Sequence, residues 1–480
     1  MVNVRAVERD QQFLMPPSVS DWLPEDHLAW FVLDLVAELD LAGLYASLRA
    51  DGRGGASYHP EMMLGVLLYA YCVGERSSRR IERRLTEDVA FRVVAANQCP
   101  DHATLARFRA RHREAISGLF SQMLGLCVAE GLVETGVVAI DGTKVEANAS
   151  AWSNRTRRQI ADEILDEAEA VDAAEDEEFG DRRGGELPDK WTDRNDRRSR
   201  LREALRQLDA EGAADWESYM AERQAKEAEL GRKLPGRKPR PGSEHRGKTR
   251  LANTTDPDSR MLRARNRFLQ GYNAQAAVSE DHIVVAAELT NAANDSTQLV
   301  PMVDATRNNL TQVEGPQVGS FVADAGYWSA ENLSRLTDVD LLVAPMPATT
   351  GITDSDDPRR RQREKVIERV DAGELTITQA AKEMGVSHTW ARKLVNDRRR
   401  GVPDPAELRV EMEERLASEA GAVAYAKRKT TVEPVFGNLK ANLGFRRFSQ
   451  RGIDAVRSEW RLICTIHNLL KLHRHQLATT

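Results

Sequence analysis

Cysteine is scarce in this chain: Cys72, Cys99, Cys127 and Cys464 are scattered through the sequence with no C-x-x-C pair. That scatter excludes a disulfide framework and a zinc knuckle, and leaves the thiols as small buried hydrophobes. Long apolar runs are missing too. The most apolar stretch near the start, Trp30 to Leu48, is broken by Asp34, Glu38 and Asp40. Neither a signal peptide nor a membrane span is expected, and the cytoplasm is the expected compartment. There is no internal repeat. A strong charge of one sign is also absent, the formal balance being −6. Acidic and basic stretches nonetheless lie apart, so local charge carries the information.

What the chain holds is apolar content of 41% over 480 residues, enough for two to four domains. From Asp21 to Glu130 the apolar positions recur on helical steps, among them Leu64, Leu67 and Leu68, then Leu119, Met123 and Leu126. An all-helical region is expected over residues 1–130, with Ser77 placed to open one of its helices. Arg79, Arg80, Arg83 and Arg84 form one basic patch, and Arg107, Arg109, Arg111 and Arg113 around Phe108 a second. These suit a DNA backbone or, equally, a solvated helix face.

Val137 to Ile140 reads as a buried strand ending in Asp141-Gly142-Thr143-Lys144, within a first core segment at 131–154. Residues 155–250 are charged, with an acidic block at Glu175 to Glu178 and a basic Gly/Pro segment from Lys233 to Lys248. They hold too few aromatic and branched residues for a core, and read as a helical or partly disordered insertion. A second core segment at 251–347 resumes with strands at Tyr272 to Val278 and Ile283 to Leu289 around a polar turn. A helix from Asp295 or Ser296 to Asn309 follows, then a strand to Asp324, a helix from Ala330 to Leu336 and a strand at Leu341 to Ala344. The fold class expected is α/β, a mixed five-stranded sheet with helices packed on it.

Residues 348–415 form a second, basic insertion, a polar linker through Asp357 and then a helical segment from Pro358 to Arg400. Ile377 to Ser387 followed by His388 to Val395 has helix-turn-helix grammar, with small Ala381 at the crossing and Gly385 in the turn. Residues early on the second helix, His388, Thr389 and Arg392, would face base edges, with Lys393 and the following arginines on phosphates. An ordinary helical pair fits the same residues. Residues 416–480 complete the core with Glu433, Lys440 and an amphipathic helix carrying Trp460, Ile463, Ile466 and Leu470.

Two acidic residues end buried strands, Asp141 before Gly142 and Asp324 before Ala325-Gly326. Glu433 lies in a helix that Pro434 starts or kinks, and Lys440 returns seven residues on to nearly the same face. Carboxylates from neighbouring strand ends and a packed helix suit a pair of hard cations about 3.5 to 4 Å apart that serves both oxygens of a phosphoryl transfer. Each residue also has a plain reading: Asp141-Gly142 as a hairpin turn, Asp324 as a helix cap, Glu433 and Lys440 as solvated neighbours.

Taken together, Ala139 to Lys144, Thr255 to Arg260, Gly271 to Gln275, Val322 to Tyr327 and Val432 to Gly437 resemble the DDE transposases of bacterial insertion sequences. Tyr58-His59-Pro60 and Pro100 to Leu105 resemble the helical domain that precedes the catalytic core in such proteins. The resemblance implies an RNase H-like sheet and a triad of Asp141, Asp324 and Glu433 binding two Mg2+ ions, with Mn2+ a substitute. Asp141 would bridge the ions, and Lys440 would act with the triad as a catalytic-site residue. Tyr425 and Arg428 keep the family's mutual spacing one residue farther from Glu433, and Lys429 is the alternative phosphate contact. Arg446 and Arg447 complete the candidate DNA contacts. The implied activity is binding of terminal inverted repeats followed by metal-dependent cleavage and strand transfer into target DNA. A homodimer or larger assembly at the bacterial nucleoid is expected. Two other readings stand beside it: a non-catalytic DNA-binding protein of domesticated type, and an RNase H-like nuclease without strand transfer.

Overall fold

The computed structural model describes residues 18–46, 57–164, 166, 197–230, 232–233, 250–264, 267–345, 358–399 and 405–479. Among the described residues, seven α-helices come first: α1 Leu28–Glu38, α2 Ala42–Tyr45, α3 Pro60–Cys72, α4 Ser78–Glu87, α5 Val89–Val94, α6 His102–Arg111 and α7 Arg113–Ala129. Pro60 sits at the first helical position of α3, where its missing N–H costs nothing, and every residue of α3 except Glu61 is buried. Such a helix has to be enclosed, and α1 and α5 lie against it. Asp88 and Asp101 cap α5 and α6 through their side chains. Ser77 precedes α4 but makes no side-chain cap.

Strand β1, Val137–Glu146, starts where the apolar run predicts and then continues through Asp141-Gly142. The hairpin-turn reading of that dipeptide is thereby overturned, because β1 stays paired with β5, Arg267–Val278, from Ala139↔Val278 to Glu146↔Gly271. Two short strands, β2 Asn154–Thr156 and β3 Leu251–Asn253, pair outside the main sheet. The main sheet also holds β4 Arg260–Ala264, β6 Val284–Thr290, β7 Ser320–Ala323 and β8 Leu341–Val343. Among the described residues it has six strands, one more than expected, because Arg260 to Ala264 fold back on β5 although their apolar and charged residues do not alternate. Gly271 pairs with both Glu146 and Arg260, so β4 and β6 occupy successive lengths of one edge of β5. Strands β1, β7 and β8 are parallel, and their apolar runs Val137 to Ile140, Phe321 to Ala323 and Leu341 to Val343 are buried. The fold is a mixed sheet with flanking helices, consistent with an RNase H-like domain, behind an N-terminal helical region.

Helix α8, Arg197–Leu230, occupies the first insertion and packs through Leu201, Ala204 and Leu208 onto Ile160 and Ala252. The acidic block at Glu175 to Glu178 and nearly all of the segment from Lys233 to Lys248 lie outside the described residues. After α9 Leu299–Gln312 and α10 Ala330–Arg335, the second insertion forms α11 Pro358–Asp371, α12 Ile377–Glu383 and α13 His388–Arg399. The linker residues 346–357 and Arg400 lie outside the described residues. Helices α14 Pro405–Ala417, α15 Glu419–Gly437 and α16 Ile453–Thr479 close the chain. One continuous apolar core runs from α1 and α3 through the sheet to α16. Among the described residues, no helix is long and apolar enough to cross a membrane.

A side chain at Gly271 would overlap the carbonyl oxygen of Val145, so β5 can lie this close to β1 only with glycine at that position. Gly271→Ala is expected to force the strands apart at a cost of about 2 to 3 kcal/mol. Thermal melting would check it; an unshifted transition would mean that the sheet yields freely at this point.

Candidate active site

The register of β1 and β7 decides where the two carboxylates stand, Asp141 within β1 and Asp324 just past the end of β7. Ile140 pairs with Ala323 in parallel, so Asp141 and Asp324 are the next residues on adjacent strands. At that point β7 stops while β1 runs on beside β5, which opens a crevice at the carboxyl end of β7. Asp324 Oδ1 accepts from Gly326 N at 2.9 Å and caps a 3-10 turn, so its capping role and its place in the crevice coexist. Asp141 Oδ1 accepts from Gly142 N at 2.8 Å. Burial, and then the neighbouring Asp324 charge, push the Asp141 carboxyl up to about 6, against the opposing pull of the Gly142 N–H and Arg428.

Helix α15 is laid across β1 and β7. Arg428 points down from it, with Nη1 3.9 Å from Asp141 Oδ2 and its guanidinium 5.9 Å from the Tyr425 ring centroid. Lys429, the alternative suggested by spacing, is exposed instead. The Arg428 side chain is only 13% exposed, yet its buried Nε has no hydrogen-bond partner among the described residues. Glu433 is exposed on the same helix. Among the described residues, no group of three His, Cys, Asp or Glu side chains stands close enough to hold a metal ion. The fold therefore brings Asp141 and Asp324 together and leaves Glu433 apart from them.

Pro434 neither starts α15 nor ends it; it lies inside the helix and withholds the N–H that Thr430 O would otherwise accept. His282, in the β5–β6 turn with φ +64°, sets its Nε2 2.9 Å from that carbonyl. The His282 carbonyl in turn lies 2.8 Å from His467 Nε2, and His467 Nδ1 lies 3.2 Å from Asn438 Nδ2. Burial pulls the His467 imidazole down to about 4, so it is neutral at ordinary pH and its Nε2–H donates. Asn438 begins a π-helical turn, Asn438–Asn442, that carries Lys440. Lys440 Nζ donates to Thr143 Oγ1 and, at 2.9 Å, to Lys144 O, fixing the ammonium to β1 two to three residues beyond Asp141. Burial and nearby Arg267 lower its proton affinity.

Behind Asp141, on the other face of β1, lies a buried polar group that motif reading missed. Gly142 faces Gln275 and Lys144 faces Asn273 across the β1–β5 pair. Lys144 Nζ lies 3.1 and 3.3 Å from the two oxygens of Asp295, and Gln275 Nε2 donates to Asp295 Oδ1 at 2.8 Å. Asn273 Nδ2 donates to the same oxygen, and Tyr327 OH donates to Gln275 Oε1. A signal was present: Asn273 and Gln275 alternate with Ala274 and Ala276, and all four are fully buried. Buried amides at strand period require polar partners.

The other candidate DNA contacts are spread out. Arg79 and Arg107 are exposed on α4 and α6, and exposed Arg80 pairs with Glu75 at 3.0 Å. Arg109 turns inward, donating to Arg76 O at 3.0 Å and Ser78 Oγ at 2.7 Å, and works as a clamp between helices. Arg446 Nε donates to Lys440 O at 3.0 Å, and Arg447 pairs with Glu146 at 2.8 Å, beside the Lys440 end of the crevice. In the second insertion, Thr376 and Gln379 make a full capping box and Gly385 takes φ +66° between α12 and α13. His388 is exposed and Arg392 half-buried, while the side chains of Thr389 and Lys393 lie outside the described set. Arg398 and Arg399 reach Glu368 and Asp371 of α11 rather than standing clear.

Residues 17–111 match the family model described as Transposase domain (DUF772), and residues 247–469 match that described as Transposase DDE domain. The second span contains Asp324 and Glu433, whereas β1 with Asp141 lies between the two matches and joins the second through its pairing with β5 and β7. No curated protein and no solved structure matches the chain.

Proposed function

Since the chain belongs to the DDE transposases of insertion sequences, we propose that it binds the terminal inverted repeats of its own element, cleaves a phosphodiester at each end and joins the freed 3′-hydroxyl to target DNA. The observation that carries this reading is the pairing of Asp141 and Asp324 at the end of β7, two carboxylates close enough to raise the proton affinity of Asp141. Their donor set is hard oxygen, with Arg428 nearby to offset part of the charge, which fits Mg2+ or Mn2+. Asp141 and Asp324 would hold the ions, and Glu433 on α15 would be the third ligand. Bound there, the cations supply charge stabilisation at the attacking and leaving oxygens.

The chain's own contribution is placement. Arg428, with an unsatisfied buried donor beside Asp141, is set to take a phosphate oxygen. Lys440, tied to the β1 backbone, gives a fixed positive charge at the far side of the same crevice. Lys440→Ala is expected to slow cleavage by roughly 100-fold, the lower end of the loss typical of a preorganised charge-stabilising donor. Single-turnover nicking of an end duplex would measure it, and an unaltered rate would remove Lys440 from the reaction. Helices α12 and α13 would read the repeat, with His388, Thr389 and Arg392 toward base edges and Lys393 toward the backbone. Pairing of two element ends calls for at least a dimer during reaction.

The deciding experiment uses a labelled duplex made from the DNA flanking the reading frame, with a second duplex as target and Mg2+ present or withheld. Mg2+-dependent nicking at the repeat followed by a joined product is expected. Nicking without joining would turn the reading to a nuclease, and binding without nicking to a non-catalytic regulator.

A further inference from the structure

Asp295 has no part in the triad, yet it gathers more donors than either aspartate of the pair. Both of its oxygens meet the Lys144 ammonium, at 3.1 and 3.3 Å, and Oδ1 also receives the amides of Asn273 and Gln275. Asn273 is fully buried and gives its Nδ2 to Asp295 while its own Oδ1 remains without a partner among the described residues. An amide turned this way leaves one acceptor unsatisfied in order to serve the carboxylate, and such buried acceptors are costly. No side chain fits at residue 142: a Cβ there would stand 2.7 Å from Asp295 Oδ1 and 3.0 Å from Asn273 Oδ1. Gly142 thus lets Asp295 close directly over the strand that carries Asp141. The same carboxylate also borders Asp324, since a Cβ on Gly326 would lie 3.7 Å from Asp295 Oδ2 and 3.0 Å from Asp324 Oδ1.

Lys144 is only 15% exposed and stands on a flexible four-carbon stem three residues from Asp141. Arg428 stands 3.9 Å from Asp141 and the Lys440 ammonium acts on it from farther off, but the adjacent Asp324 adds a second carboxylate that a further ammonium would satisfy. We propose that Asp295 is a positioning residue: it holds the Lys144 ammonium on the β5 side of the sheet, so that Asp141 and Asp324 stay open to a divalent cation. This rests on the cation-site reading of the pair given above. Without Asp295, Lys144 swings to the pair and competes for the place of the ion.

The probe is Mn2+ alone, titrated into the full-length chain without DNA and followed by the paramagnetic resonance of the free ion. Asp295→Asn is expected to weaken Mn2+ binding about tenfold or more, the scale of one added charge at an effective dielectric near 20. Adding Lys144→Met is expected to bring affinity back to within roughly threefold of the parent, because removing both partners of a buried pair leaves no stranded charge. Such rescue would not follow if Asp295 merely braced the fold. Should Asp295→Asn fail to fold, the double variant still decides the matter: Mn2+ binding within roughly threefold of the parent is expected, and binding roughly tenfold or more weaker would overturn the proposal. Parent-like binding by folded Asp295→Asn, or a double variant as weak as the single one, would overturn the proposal. A parent chain that takes up no Mn2+ would overturn the cation-site reading and this inference with it.

Discussion

Asp141→Asn is expected to cut strand cleavage by on the order of a thousandfold or more, since cation stabilisation of a phosphoryl transition state is worth several kcal/mol and each 1.36 kcal/mol is a factor of ten. Binding to element ends should persist. The same substitution is expected to make the catalytic core more stable at neutral pH. In the folded chain the Asp141 carboxyl is raised from 3.8 to about 6, so the fold favours its protonated form. That contribution is fully present below about pH 4 and is lost as pH rises through 6, which leaves the ionised residue costing about 3 kcal/mol at pH 7.5. Asparagine carries no such cost. Thermal scans without divalent ions should show the variant melting a few degrees above the parent at pH 7.5, with the gap closing toward pH 5. Added Mg2+ should raise the parent's transition and leave the variant's in place. Unimpaired cleavage by the variant would end the assignment of Asp141, and a gap independent of pH would end the account of its burial.

The second large effect is expected from removing residues 358–400. Val366, Ile367, Val370, Ala380 and Val395 form a small core of their own, separate from the one under the sheet, so the excision leaves Asp141 and Asp324 in place. Affinity for the terminal repeat should fall on the order of a hundredfold, while affinity for unrelated duplex changes little, because a base-reading module supplies specificity more than general charge attraction. Gel-shift titrations with repeat and scrambled duplexes, in the Asp141→Asn background to prevent cutting, would measure both. Equal affinity before and after excision would return α11 to α13 to a purely architectural role.

Much of this architecture was legible in the sequence alone. The apolar run at Val137, the hairpin around Ser279 to Asp281, the turn at Gly385 and the helical region before residue 130 all express local rules, a period of two or near 3.6 and a residue suited to the turn. The adjacency of Asp141 and Asp324 was half legible, for each follows a buried apolar run, but only Asp324 stands at the end of its strand. What escaped depends on partners far away in sequence. Asp141-Gly142 has hairpin chemistry locally, and only the long pairing with β5 draws β1 on to Glu146. The choice of Arg428 over Lys429 follows from how α15 is rolled onto the sheet, which spacing along the helix does not set. Asp295 acquires its place where β1, β5 and the turn after β7 meet, and no stretch of sequence contains all three.

The carbonyl that Pro434 frees in α15 also bears on how the helix around Glu433 is held. Thr430 on one side of Glu433 and Asn438 on the other are both moored, directly or through His467, to His282 at the tip of a hairpin. Glu433 thus hangs on a short span between two anchorages that share a single post. If Glu433 is the third ligand proposed above, a shift of the α15 backbone that brought it toward Asp141 would either carry the hairpin tip along or break a mooring, so the β5–β6 loop would govern that shift.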